Sequence, residues 1–198
     1  MAKQKVIEDR RVRRTRALLQ DALTSLIVEK GYDAVTVQEI IDRADVGRAT
    51  FYAHFADKRT LLASRLEDLR ESLIERQRET LTRRGSTGSV RAFTFSRAMF
   101  EHAAGGLPLW KAIAGAETGA FVLRRLHGML ADLVRADLTA MGMTRASAQR
   151  ELLTQHVTGA FMAVMTWWLD GGARMPIDEV DEAFCQAVMQ GLPKISMK

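Results

Sequence analysis

Apolar residues recur along this chain at intervals of three and four. Nowhere do they alternate with polar ones in the period-two manner of a half-buried strand. Leu19, Leu23, Leu26 and Ile27 make one helical stripe, and Gly31 stands just past it as a C-cap, which predicts a first helix over residues 10–30. Thr36, with Glu39 three residues on, has the form of a capping box. Val37, Ile40, Ile41 and Ala44 then share one face of a short helix. Asp45 tolerates a left-handed backbone and Gly47 adds a second flexible point, so a tight turn follows. The next short helix, over 48–55, has Phe51 and Phe55 on one side and Arg48, Thr50, Tyr52 and His54 on the others. Asp57 can cap a long helix over 58–83, whose face carries Leu62, Leu66, Leu69, Leu73 and Ile74.

Residues 84–89, polar and glycine-rich, are the clearest break in the chain. Beyond it the pattern predicts a helix over 90–104 with Phe93, Met99 and Phe100, ended by Gly105-Gly106-Leu107-Pro108, and a turn or two over 109–113. Longer helices follow over 121–141, with Leu126, Met129, Leu130, Leu133 and Leu138, and over 147–169, closed by Gly171-Gly172. Pro176 precedes the last, over 178–190, with Val180, Phe184, Ala187 and Val188 facing inward. The expected fold is all-α, about nine helices, divided into a small domain over 1–57 and a larger one over 58–198, joined by the helix over 58–83.

Two short helices joined by a tight turn, the second with an apolar back and a polar, cationic front, form a helix-turn-helix. Such a helix fits the major groove of double-stranded DNA. Charge sharpens this reading. Residues 1–16 hold seven cations (Lys3, Lys5, Arg10, Arg11, Arg13, Arg14, Arg16) and two anions, a net of +5; the whole chain is also +5, so the remainder sums to zero. All the excess charge therefore lies in an arm beside the motif, which suits a phosphate-binding arm, although a solvated terminus that aids solubility would carry the same charge.

Val46, Thr50, Phe51, Tyr52, His54, Phe55, Lys58 and Leu62, with Gly31-Tyr32 and Thr36-Val37 upstream, resemble the DNA-binding domain of the TetR family of bacterial transcriptional regulators. There are two departures: Asp45 stands where that family mostly has glycine, and Gly47 where it often has a serine cap. The resemblance implies base contact by Arg48 and Thr50, an arginine fork pairing well with guanine. It implies phosphate contact by Thr36, Tyr52, His54 and Lys58. It further implies a homodimeric repressor on a palindromic operator, with a regulatory half that takes an unidentified small-molecule effector and dimerises through its last two long helices.

The chain's own residues bear on those expectations. The run over 157–169 is apolar on nearly every side, yet at 13 residues too short to span a bilayer. One face can pack inward and the other needs a partner copy; charge at Val164 or Phe184 is expected to separate the copies. Phe95, Met99, His102, Trp110, Phe121, Met129, Phe161, Met165 and Trp168 are the candidates for a largely apolar ligand site, although such residues also fill ordinary cores.

Other chemistry finds little support. No histidine or cysteine pair has metal-ligand spacing, no cofactor motif occurs, and no catalytic constellation stands out. The one cysteine, Cys185, and a charged start without a signal peptide fit the cytoplasm. Two other readings stay open: a small-molecule-sequestering helical protein with a vestigial helix-turn-helix, and a regulator that acts without a ligand or as an activator.

Overall fold

A computed structural model describes residues 2–84, 93–114, 117–143 and 147–190, with the side chains of 2–9 and 80–84 outside the description. Among the described residues every regular element is an α-helix: α1 (Ala2–Lys30), α2 (Val37–Ala44), α3 (Arg48–His54), α4 (Lys58–Arg84), α5 (Phe95–Gly105), α6 (Leu107–Ile113), α7 (Glu117–Ala140), α8 (Ala148–Asp170) and α9 (Ile177–Gln190). The all-α fold is as the periodicity predicts. None of these helices is long and apolar enough to cross a membrane.

The departures lie at helix ends. α1 begins at Ala2 rather than at residue 10, so the charged arm continues the helix. Its Lys3 and Lys5 side chains lie outside the described residues. The helix predicted over 90–104 starts only at Phe95: Phe93 is left-handed at φ 56° and its carbonyl accepts the Ser96 N–H, while residues 85–92 are outside the description. Leu107 and Pro108, expected to terminate a helix, instead open α6. A proline in the first turn needs no N–H there, and its fixed φ suits the helix.

The chain divides into two compact units. The first comprises Met1–Asp68 and Lys111–Ala120. Leu19, Leu23, Leu26 and Ile27 of α1, Ile40 and Ile41 of α2, Phe51 of α3 and Leu61 and Leu62 of α4 are its buried core. Buried Gln20 of α1 donates to Ser64 Oγ at 3.0 Å and Asp68 Oδ2 at 2.6 Å, so the opening turns of α4 join this unit. Gly119 is held here by a close approach: a Cβ on it would lie 2.4 Å from the Ile113 carbonyl oxygen.

The second unit, Leu69–Trp110 and Phe121–Lys198, is organised on aromatic rings. Phe161 of α8 is fully buried and meets three of them: Phe95 at 5.3 Å and Phe100 at 5.0 Å from α5, and Phe184 at 5.1 Å from α9. Phe100 in turn meets Trp168 at 5.3 Å, and Phe184 meets Phe93 at 6.4 Å. Edge-to-face and tilted pairs at these separations add stability beyond the area they bury. Gln77 of α4 is buried and donates to the Leu133 carbonyl of α7 at 2.9 Å, tying that helix to the unit.

The ring cluster corrects one expectation. Phe184 is buried in its own chain's core, so a charge there would break the body rather than separate two copies. Ala187, expected inward, is exposed. With three rings around it, Phe161→Ala should cost about 3–5 kcal/mol of stability, the range for a buried aromatic reduced to alanine. Urea unfolding of the ligand-free protein checks this; a loss below about 1 kcal/mol would mean that the cluster closes over the gap.

Candidate nucleic-acid interface

The geometry begins one turn before α2. Gly31, at φ 80°, ends α1 in the left-handed C-cap conformation, its N–H donating to the Ile27 carbonyl at 2.8 Å. The chain then bends through residues 32–35 to the N-cap Thr36. The capping box is formed in full: the Glu39 N–H donates to Thr36 Oγ1 at 3.3 Å, and the Thr36 N–H and hydroxyl donate to Glu39 Oε2 at 2.9 and 2.8 Å. Lys30 closes the same carboxylate from α1. These donors, the Lys30 ammonium foremost, lower the Glu39 pKa from 4.5 to about 2. Its part in holding α2 is therefore present above the ordinary carboxylate range and lost as pH falls through that interval.

Asp45 then takes the left-handed conformation, φ 51° and ψ 51°, with its N–H on the Asp42 carbonyl. A short polar side chain makes this tolerable where a β-branched one would not. Gly47 opens α3 with no side-chain cap. Phe51 is fully buried behind α3, and Tyr52 stands 47% exposed beside it, edge-on at 5.3 Å. Arg48 is exposed on the front; its guanidinium lies over the Tyr52 ring at 5.4 Å and donates to Gln38 Oε1 of α2 at 3.3 Å. Thr50 and His54 are half-buried, and His54 leans on Phe55 at 6.2 Å. The six DNA candidates thus lie on two consecutive helices, α3 and α4, and on the cap that opens α2. Gln38, which sequence reasoning missed, joins the cluster because α2 and α3 meet there; periodicity marks it only as solvent-facing.

Lys58 has a different setting from the rest. Its Nζ donates to the carbonyls of Tyr32 at 3.0 Å, Asp33 at 3.2 Å and Val35 at 2.8 Å, and sits 4.5 Å from the Tyr32 ring centroid. An ammonium has three donors, and all three are taken by the bend before α2. Asp57 caps the helix on which Lys58 stands, its Oδ1 accepting the Thr60 N–H at 2.7 Å. Around the arm, Arg10, Arg11, Arg13 and Arg14 are exposed, whereas Arg16 lies over Phe55 at 5.4 Å and near Asp68 at 4.0 Å.

In the body, Phe95, Met99, Met129, Phe161, Met165 and Trp168 are core residues, Trp110 is also buried, Phe121 is half-buried and His102 is exposed. Phe95, Phe161 and Trp168 belong to the ring cluster, and the Trp168 indole N–H donates to the Met175 carbonyl at 2.9 Å. An open hollow of about 720 Å³ lies elsewhere, lined by Leu123, Met162, Ala163, Thr166, Trp167, Asp170 and Gly171, none of them among the nine ligand candidates. Those lining residues share one side of α8 and reach α7, a grouping that sequence spacing alone does not single out. Among the described residues no cluster of ligating side chains could hold a metal ion.

Because its donors hold a bend rather than face solvent, Lys58→Ala should lower the melting stability by about 1–3 kcal/mol, the cost of leaving carbonyls without a donor. A change in salt dependence of DNA binding with no loss of stability would show that the ammonium serves phosphate instead.

Residues 19–64 match the family model for bacterial regulatory proteins of the tetR family. An uncharacterized HTH-type transcriptional regulator of Bacillus subtilis strain 168, YxbF, is 26% identical over 184 residues; the match takes in 90% of this chain but only 45% of that relative. A TetR transcriptional regulator from Streptococcus agalactiae 2603V shares the fold with 24% identity and a TM-score of 0.62, over 93% of this chain and 98% of its own. So does the regulator FadR from Bacillus subtilis, solved in complex with stearoyl-CoA, with 18% identity and a TM-score of 0.64, over 89% and 99%. Residues 19–64 thus carry a helix-turn-helix of the tetR type, and the chain shares its all-α fold with the solved TetR regulator.

Proposed function

We propose that the protein is a homodimeric, ligand-responsive repressor that binds a palindromic operator in double-stranded DNA and leaves it when a small, largely apolar molecule occupies the body. The DNA half is carried by one observation, the two-sidedness of α3: Phe51 is buried behind it while Arg48 and Tyr52 stand exposed in front. Arg48 and Thr50 are assigned to base edges, and Thr36, Tyr52 and His54 to phosphate. Lys58 supports the bend that aims them. The exposed arginines of α1 add attraction that is independent of sequence and sensitive to salt.

Self-association is supported by the outward side of α8. Leu152, 67% exposed, and Trp167, 60% exposed, lie on one face with exposed Gly159 and Ala163 between them. Large apolar groups at both ends and small ones in the middle let two copies of the helix approach closely about a two-fold axis. An effector is supported by the shared fold with FadR, whose solved complex holds stearoyl-CoA. The cytoplasm is the compartment this role requires.

Selection of bound sequences from random duplex DNA tests the reading at the residue level. The protein should enrich an inverted repeat, and Arg48→Ala should weaken binding to it by about 1–3 kcal/mol while relaxing one base position per half-site. Enrichment of no sequence at any salt would replace this reading with small-molecule sequestration. Trp167→Glu should convert the dimer to a folded monomer in sedimentation and abolish operator binding at ordinary concentrations, since linked readers make the second engagement intramolecular. A native protein that sediments as a monomer overturns the dimer.

A further inference from the structure

A chain of contacts crosses from α2 to α3 on the front of the helix-turn-helix. On α2, Gln38 and Asp42 stand one turn apart, and Gln38 Nε2 donates to Asp42 Oδ1 at 2.8 Å. On α3, Arg48 and Tyr52 also stand one turn apart, with the guanidinium carbon 5.4 Å from the ring centre. The pairs meet where Arg48 Nη1 donates to Gln38 Oε1 at 3.3 Å. All of these side chains are exposed and belong to one compact unit.

The direction of each contact follows from what its groups can do. An ionised carboxylate accepts and cannot donate, so Asp42 takes the NH₂ end of the Gln38 amide. The amide oxygen is thereby turned the other way, toward α3. A guanidinium donates and cannot accept, and in that oxygen it finds its acceptor. Were the amide reversed, its NH₂ would face the guanidinium, donor against donor. Asp42 thus selects the orientation of Gln38, and that orientation decides whether Arg48 is held. The Tyr52 ring restrains the guanidinium from a second side. Only one N–H of Nη1 is used, which leaves the rest of the fork for O6 and N7 of a guanine. An arginine already in place gives up less freedom on binding, a saving equivalent to about two- to tenfold in affinity. That saving is realised only on sequences whose bases the fork can pair with.

We infer that Gln38 and Asp42 are positioning residues for base recognition: Asp42 orients the Gln38 amide, and Gln38 holds the Arg48 fork ready for its base. The inference deepens the operator reading, by naming what sets its specificity, and rests on that reading.

The test begins from the selected operator and the base position that Arg48→Ala relaxes. For each variant, fluorescence anisotropy gives the affinity for that duplex and for the same duplex with this one base pair exchanged, at a single salt concentration. The ratio of the two affinities is the readout. A role confined to helix stability or to phosphate moves both affinities together and leaves the ratio unchanged. Gln38→Ala and Asp42→Ala should each lower the ratio by about two- to tenfold. Neither should lower it further once Arg48→Ala is present, because both act through that side chain. The decisive variant reverses the chain. With Gln38→Glu and Asp42→Asn together, the amide at 42 donates, the carboxylate at 38 accepts from it and from Arg48, and the net charge is that of the native protein. This double variant should restore the ratio to within about twofold of native. Thermal melting checks that each variant folds. An undiminished ratio in Gln38→Ala or Asp42→Ala overturns the inference. So does a loss that persists in the Arg48→Ala background, a reversed pair no better than Asp42→Ala, or an Arg48→Ala that relaxes no position. In all of these the native protein still enriches an operator, so the inference falls alone. A native protein that enriches no duplex sequence loses the operator reading, and the positioning role with it.

Discussion

The Lys58 ammonium, donating to three carbonyls of the bend between α1 and α2, is the contact on which the reader's geometry depends. Carbonyls that converge in a bend repel one another and have lost part of their water. A compact cation with three rotatable donors answers all three at once, which a planar guanidinium would not do in the same space. With the bend held, Thr36 falls where its hydroxyl meets the Glu39 N–H, and α2 starts in register. From α2 the left-handed Asp45 turns the chain into α3, and Phe51 is buried only because that turn is made. The exposed front of α3 is thus the last step of a sequence that begins at a residue of α4.

The two compact units are stabilised by different means. In the reader, aliphatic side chains fill a small core, and the outside is bound by ion pairs: Lys30 with Glu39, Arg43 with Glu29 at 2.7 Å, Arg65 with Asp21 at 3.4 Å. All three are solvent-exposed, so each contributes little on its own, and their effect is to orient α1, α2 and α4 rather than to hold the fold. In the body, rings from α5, α8 and α9 interlock. A ring cluster is stiff because its members have few rotamers and each contact is directional. That stiffness explains why residues suited by type to a ligand site, Phe95, Phe161 and Trp168 among them, are occupied with one another.

What was legible in the sequence followed from local rules. The capping box at Thr36 and Glu39, the left-handed turn at Asp45, the Gly31 C-cap and the apolar back of α3 each depend on residues within a few positions of one another, and each is present. What was not legible depends on distant residues meeting. Lys58 touches carbonyls more than twenty positions away, so its type and spacing match a phosphate contact equally well. Asp170 and Trp110, sixty positions apart, look like a surface carboxylate and a core ring until the indole N–H joins them. Pro108 misled because a proline after two glycines is the usual end of a helix, and only the turn that follows shows it as the start of one.

A single connecting helix is too simple an account of how the body reaches the reader. Three helices pass from one compact unit to the other: α4 between Asp68 and Leu69, α6 between Trp110 and Lys111, and α7 between Ala120 and Phe121. α4 contains neither glycine nor proline, and a helix without such points, a bulge or an inserted group does not kink sharply. Where one stiff helix joins two bodies, the body can swivel about it and the far end feels little. In the corner of residues 111–120, the approach of Gly119 to the Ile113 carbonyl leaves α6 and α7 no room to slide past each other. The chain therefore passes between its two compact units along three helices, of which α4 is only one.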